Sequence, residues 1–218
     1  MRAAVDWYQP RIEHWFRMTA KTPPQSPLTI GVLALQGAYD AHARTLTALG
    51  AIPRLVRTPA ELDGLDGLIM PGGESTTMLK FLERNGFFDI LQTWVRTTPT
   101  FGTCAGAILL ANHVEHPPQR SLAALDITVE RNAYGRQIDS TIVTAPTALP
   151  GGPLEMVFIR APRIRSTGPS VETLAARDGF PTLVRAGHLL AATFHPELTA
   201  DSRVHQLFLS LVREHQSK

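Results

Sequence analysis

Between Leu28 and Ala111 the sequence repeats one pattern: an apolar run closes in a turn and opens into a helical stretch. Leu28–Leu35 turns at Gln36-Gly37-Ala38 into a helix over Asp40–Leu49, which Gly50 stops. Ile52–Val56 is a second strand. Leu65–Met70 is a third, and it runs through Pro71-Gly72-Gly73-Glu74-Ser75 into a helix over Thr76–Arg84. Phe87–Arg96 adds a helix before a further apolar run leads into Thr100–Ala107, with the apolar segment Ala107–Ala111 behind it. Continuous apolar runs suit strands buried on both faces, and helices between such strands act as crossovers that leave the strands parallel. The first half is therefore restricted to a parallel α/β sheet with helices on both faces. Ligands of such sheets collect at the carboxyl ends of the strands.

The second half changes period. Ile127–Arg131, Ile138–Thr144, Met156–Ile159, Val171–Ala176, Thr182–Arg185 and His188–Phe194 are short, β-branched runs separated by Pro, Gly and Asp. They predict mostly antiparallel strands packed beside the parallel sheet. An amphipathic helix over Ala200–His215 follows, with Val204, Leu207, Phe208 and Val212 on one face. The fold class is α/β: a three-layer sandwich with a mixed, mainly parallel central sheet, plus short antiparallel strands. Residues 1–27 stand apart as a flexible extension, because Pro10 interrupts their helical pattern and Lys21–Pro27 is a Pro-rich linker. Residues 28–218 form the domain.

Composition excludes several function classes. Hydrophobic residues make up 44% and charged residues 18%, and the formal charge is only +2 with dispersed bases, so neither nucleic acid nor a membrane surface is an expected partner. No apolar run approaches the roughly 18 residues that span a bilayer, and the N-terminus lacks the apolar core of a signal peptide. A single cysteine excludes an internal disulfide and a multi-cysteine metal site, and fits a reducing, cytoplasmic compartment.

That cysteine, Cys104, has glycines two residues before and two after it, between a strand and a helix. A sharp strand-to-helix turn of this kind holds a nucleophile clear of the sheet, at the positive end of the following helix. The other reading is a buried small hydrophobe. A thiol nucleophile needs a base, and the base an orienting group. Phe194-His195-Pro196-Glu197 supplies both, since residues two apart in extended backbone point the same way. His195 is thus the expected general base and later acid, with Glu197 fixing its tautomer. Among the eight histidines, His42, His113 and His116 remain open on spacing alone. Gly72-Gly73, at a helix start, offers free backbone N–H groups for an anion or oxyanion.

Six segments carry a resemblance: Ala34-Leu35-Gln36-Gly37-Ala38, Pro71-Gly72-Gly73-Glu74-Ser75-Thr76, Gly102-Thr103-Cys104-Ala105-Gly106, the run from Glu130-Arg131-Asn132 to Gln137, Phe158-Ile159-Arg160-Ala161-Pro162 and His195-Pro196-Glu197-Leu198. In order and spacing, over about residues 28–215, the sequence resembles the glutaminase subunits of pyridoxal 5′-phosphate synthase. These are class I (triad) glutamine amidotransferases, flavodoxin-like in fold.

The resemblance implies that Cys104 attacks the side-chain amide of L-glutamine and that the thioester is hydrolysed to glutamate. It implies an oxyanion hole at the backbone N–H groups of Gly73 and Ala105, and glutamine binding by Gly73, Glu74, Ser75, Arg131, Ile159 and Arg160. Read from the residues alone, Arg131 and Arg160 are loop-holding salt bridges. The ammonia would pass to a separate synthase lyase subunit, which docks around Gln36–His42. Ala41 stands there where the family usually has Glu. No cofactor or metal is implied, because pyridoxal phosphate is the complex's product. Service to a different synthase, or a non-catalytic regulatory role on the same fold, are the alternatives.

Overall fold

The computed structural model describes residues 26–84, 86–133 and 140–218. All of the extension except Ser26 and Pro27, and residues 134–139 with the start of the expected strand Ile138–Thr144, lie outside the described residues.

Among the described residues a seven-stranded sheet organises the molecule, its strands running across it in the order Glu172–Arg177, Phe180–Ala186, Leu189–Ala192, Thr100–Thr103, Gly67–Met70, Thr29–Leu33 and Ile52–Val56. Its parallel part consists of β1 (Thr29–Leu33), β2 (Ile52–Val56), β3 (Gly67–Met70), β4 (Thr100–Thr103) and β12 (Leu189–Ala192). β10 (Glu172–Arg177) and β11 (Phe180–Ala186) close one edge antiparallel. Alternate residues face opposite layers: Leu68 and Met70 join one core with Leu189 and Ala191, whereas Ile69 joins the other with Leu190 and Ala192.

Over the first face lie α2 (Ser75–Arg84), α3 (Phe87–Trp94) and α4 (Ala105–Leu110), together with the small sheet of β5 (Ala111–Glu115), β6 (Leu125–Glu130) and β9 (Arg163–Thr167). Over the second lie α1 (Tyr39–Ala48), α5 (Arg203–Gln216) and the hairpin β7 (Thr141–Ala145) with β8 (Leu154–Phe158). Helix α5 starts later than periodicity predicts, because the Asp201 carboxylate accepts the Arg203 N–H at 3.0 Å and ends the preceding loop there.

The three-layer, mixed and mainly parallel α/β class holds, but the second half is arranged differently from the expected separate antiparallel sheet. β10, β11 and β12 continue the central sheet, and β12 is parallel to β4, pairing Leu190 with Phe101 and Ala192 with Thr103. That insertion brings the residues after β12 beside the residues after β4. β5 and β9 had not been expected. β5 follows α4 with no turn residue between them, and in β9 only Ile164 is buried, so neither carries a periodic signal.

Candidate active site

β4 hands over to α4 at Cys104, whose φ of 46° and ψ of −100° lie in a region where non-glycine residues are strained, at a cost on the order of 1–3 kcal/mol. The surroundings hold it there. Its N–H donates to the Ala192 carbonyl at 2.8 Å and its own carbonyl accepts the Ile108 N–H at 3.2 Å. The flanking glycines permit the tight approach: a Cβ on Gly102 would stand 2.6 Å from the Gly106 carbonyl, and one on Gly106 would strike the Met70 carbonyl. The turn expected from the sequence is present, except that its helix spans Ala105–Leu110 and β5 begins at Ala111. Cys104 remains 6% exposed and lines a pocket.

His195 and Glu197 reach the same place by a different backbone route from the extended segment expected. Pro196–Leu198 is a 3-10 turn, closed by the Leu198 N–H donating to the His195 carbonyl at 3.2 Å. The His195 N–H is held by the Val157 carbonyl at 2.8 Å, which fixes the loop to β8. The ring then meets the carboxylate, with Nδ1 to Glu197 Oε1 at 2.7 Å. A carboxylate only accepts, so Nδ1 carries the proton and Nε2 is left for the thiol. Burial opposes a charge on His195, but hydrogen bonds with Cys104 and Glu197 and the charges of both outweigh it and raise its pKa to about 10. Glu197 is likewise buried against its charge. The His195 hydrogen bond, with the charges of His42 and His195, nevertheless holds its carboxyl below the usual range.

The pocket has a volume of about 150 Å³ and opens to solvent. Gly73, Glu74, Ser75, Arg131, Ile159 and Arg160, all named from the sequence, line it with Cys104 and His195. Ala105 opens α4 directly after Cys104. Ile108, Asn132 and Pro162 also line it. They had not been singled out because nothing in their residue type marks them, although Asn132 and Pro162 sit inside segments that had been.

Two details differ from expectation. The start of α2 is not a free anion site: the Glu74 carboxylate accepts the Thr77 N–H at 2.6 Å and the Thr76 N–H at 3.2 Å. Burial pushes the Glu74 pKa up, but hydrogen bonds with the side chains and N–H groups of Thr77 and Thr76 outweigh it and lower the carboxyl below its usual range. Among the N–H groups expected to take an anion there, those of Gly72 and Gly73 remain, ahead of the helix. Arg131, in turn, donates to Thr76 Oγ1 at 2.9 Å and stands 3.6 Å from Glu74 Oε1, so it secures the loop while lining the pocket. The other histidines separate clearly. His113 and His116 are exposed and do not line the pocket. His42 is fully buried, with Nε2 3.4 Å from Glu197 Oε2.

Fold and pocket place the molecule in the class of α/β glutamine amidotransferases. The crystal structure of a glutamine amidotransferase superposes with a TM-score of 0.79 at 44% identity, covering 84% of this chain and 98% of that one. The architecture extends to a glutamine amidotransferase from Thermotoga maritima at 11% identity and a TM-score of 0.55, over 89% of this chain and 87% of that one, a likeness of fold alone.

Within that class the chain belongs to the SNO glutamine amidotransferase family, whose model matches residues 32–214. It is 60% identical to the pyridoxal 5′-phosphate synthase subunit PdxT of Koribacter versatilis, over 87% of this chain and 98% of the relative. It is 48% identical to the PdxT subunit of Brevibacillus brevis, over 87% and 100%.

Proposed function

We propose that this chain is the glutaminase subunit of a pyridoxal 5′-phosphate synthase, hydrolysing L-glutamine to L-glutamate and ammonia. The observation that carries the reading is the meeting of the strained Cys104 elbow with the His195–Glu197 pair in one pocket, on a chain of this family.

Each residue has a role in the proposed reaction. His195 Nε2 takes the Cys104 proton and the thiolate attacks the glutamine side-chain carbonyl. The oxyanion is received by the N–H groups of Gly73 and Ala105. The imidazolium then gives its proton to the leaving amide nitrogen, ammonia departs, and a glutamyl thioester remains. Water, deprotonated by His195, attacks the thioester, releases glutamate and restores the thiol. Glu197 keeps Nδ1 protonated throughout. Gly73, Glu74, Ser75, Arg131, Ile159 and Arg160 hold the substrate, a guanidinium being matched to its α-carboxylate.

The ammonia is passed to a separate synthase lyase chain docked over Gln36–His42. Gln36 Nε2 donates to the Glu74 carbonyl at 2.8 Å, which ties that region to the loop bearing Gly73. Pressure on 36–42 is therefore felt at the oxyanion loop. Ala41, where the family usually carries Glu, is buried here, so the contact is made by its neighbours.

A glutamine analogue that alkylates thiols tests the chemistry. Incubated with the complex, 6-diazo-5-oxonorleucine is expected to add one label, located at Cys104 by peptide mass spectrometry and prevented by excess glutamine. Labelling elsewhere, or indifference to glutamine, contradicts the reading.

A further inference from the structure

Beneath the pocket, between the sheet and the α1/α5 layer, lies a buried polar chain that the proposed mechanism does not use. Glu197 spends Oε1 on His195, while Oε2 is buried and has no hydrogen-bond partner among the described residues. An unpaired carboxylate oxygen in a protein interior is costly. The donor that faces it is His42 on α1, whose Nε2 stands 3.4 Å away, too poorly aligned to count as a hydrogen bond, and 3.2 Å from Thr103 Oγ1 on β4. The other ring nitrogen of His42 contacts His205 Nε2, on α5, at 3.0 Å. Both rings are fully buried, and the Phe101 ring stands edge-on to each.

The tautomers follow from what each end of this chain can tolerate. If His42 Nε2 carries the proton, it points at Thr103 Oγ1 and the carboxylate. Its Nδ1 then accepts from His205 Nε2–H, and His205 Nδ1 is a bare lone pair. That atom is buried and has no hydrogen-bond partner among the described residues. In the reverse arrangement His205 Nδ1–H would be an orphaned buried donor, and a His42 lone pair would face a carboxylate. Orphaned N–H groups are the rarer and costlier case. Every proton in the chain thus points toward Glu197, from His205 through His42.

We infer that His42 is a positioning residue of this site: its Nε2–H, oriented by His205, closes on Glu197 Oε2 and holds the carboxylate in the rotamer that aligns His195 on Cys104. The inference rests on the glutaminase reading for its kinetic consequences, but its geometry is independent of the substrate. Among the described residues the ionisable groups in contact with His42 are Glu197 and His205, with His195 one step beyond. Burial, reinforced by the His195 charge and opposed by that of Glu197, lowers His42 to about 4, so it works as a neutral donor. Hydrogen bonds of comparable supporting residues in metal sites are worth about 10- to 100-fold in activity.

The test uses the complex with its synthase subunit and two readouts. His42→Leu is expected to lower kcat by at least about tenfold with KM within about twofold, whereas His42→Gln, whose side-chain amide can donate from a similar position, recovers most of the loss. The second readout is the pH profile of Cys104 alkylation by iodoacetamide, which needs no glutamine. It should be displaced in His42→Leu and restored in His42→Gln. Equal loss in both variants, or an unchanged kcat and alkylation profile in His42→Leu, overturns the inference. If His42→Leu does not fold, the pair His205→Leu (impaired) and His205→Gln (recovered) decides in the same way. A wild-type protein that alkylates at Cys104 yet never hydrolyses glutamine refutes the glutaminase reading, and the alkylation profiles still decide the positioning role.

Discussion

At the residue scale the proposed chemistry rests on three side chains and one missing side chain. Gly72 lies so close to His195 that a Cβ there would strike ring atom Cε1, 2.9 Å from Nδ1 and 3.2 Å from Cys104 Cβ. Gly72→Ala is expected to push the imidazole off the thiol, reducing glutamine hydrolysis at least about tenfold while the melting temperature falls only a few degrees. Steady-state kinetics beside a thermal melt checks this, and full activity would show that the ring has room the geometry denies it. Cys104, His195 and Glu197 were legible in the sequence because each motif is local: two glycines around a cysteine, and an acid two residues beyond a histidine. The support beneath them was not. His42 and His205 are separated by 163 residues, and no spacing rule connects them. Spacing alone left His42 as one candidate base among several, and only the packing of α1 and α5 under β4 gives it a neighbour.

The elbow works as an element because backbone meets backbone without side chains between. Gly106, in the first turn of α4, abuts the Met70 carbonyl at the end of β3, and Gly102 of β4 abuts Gly106 itself. A methyl group at Gly106 must displace a strand end rather than a flexible side chain. Gly106→Ala is expected to destabilise the protein by about 2 kcal/mol or more and to remove activity, read from urea unfolding midpoints. An unchanged midpoint would mean that α4 can slide, and that the turn is not the rigid mount described. Strands and helices of the first half were readable because each hydrophobic run is long and bounded by Gly or Pro. The partners of the later strands were not, since period identifies a strand but not its neighbour. The run over His188–Phe194 reads as one more short antiparallel strand, yet it pairs parallel to β4 and thereby delivers His195 to Cys104.

The whole molecule carries these groups as charges in its pH dependence. Relative to the ordinary value of 6.5, His195 is raised to about 10, so its contribution to stability is complete below pH 6.5 and lost as pH rises toward 10. His42, lowered to about 4, and His205, lowered by burial and by His42 to about 3, act in the opposite sense. The unfolded chain takes up their protons below about pH 6.5 and stability falls as pH drops toward 3–4, where the loss of the Glu197 charge adds to it. Melting temperatures from pH 4 to 10 are therefore expected to peak near pH 6.5 and fall on both sides. A curve flat from pH 4 to 6.5 would mean that the two buried histidines are not held neutral.

The central claim concerns turnover, and glutamate release from L-glutamine tests it most directly, measured for this chain alone and with the synthase subunit of the same organism added. The expected result is slow release alone, strong stimulation by the partner, and none from Cys104→Ala in either condition. No glutamate from the folded pair, or a Cys104→Ala variant as active as the wild type, would contradict the account.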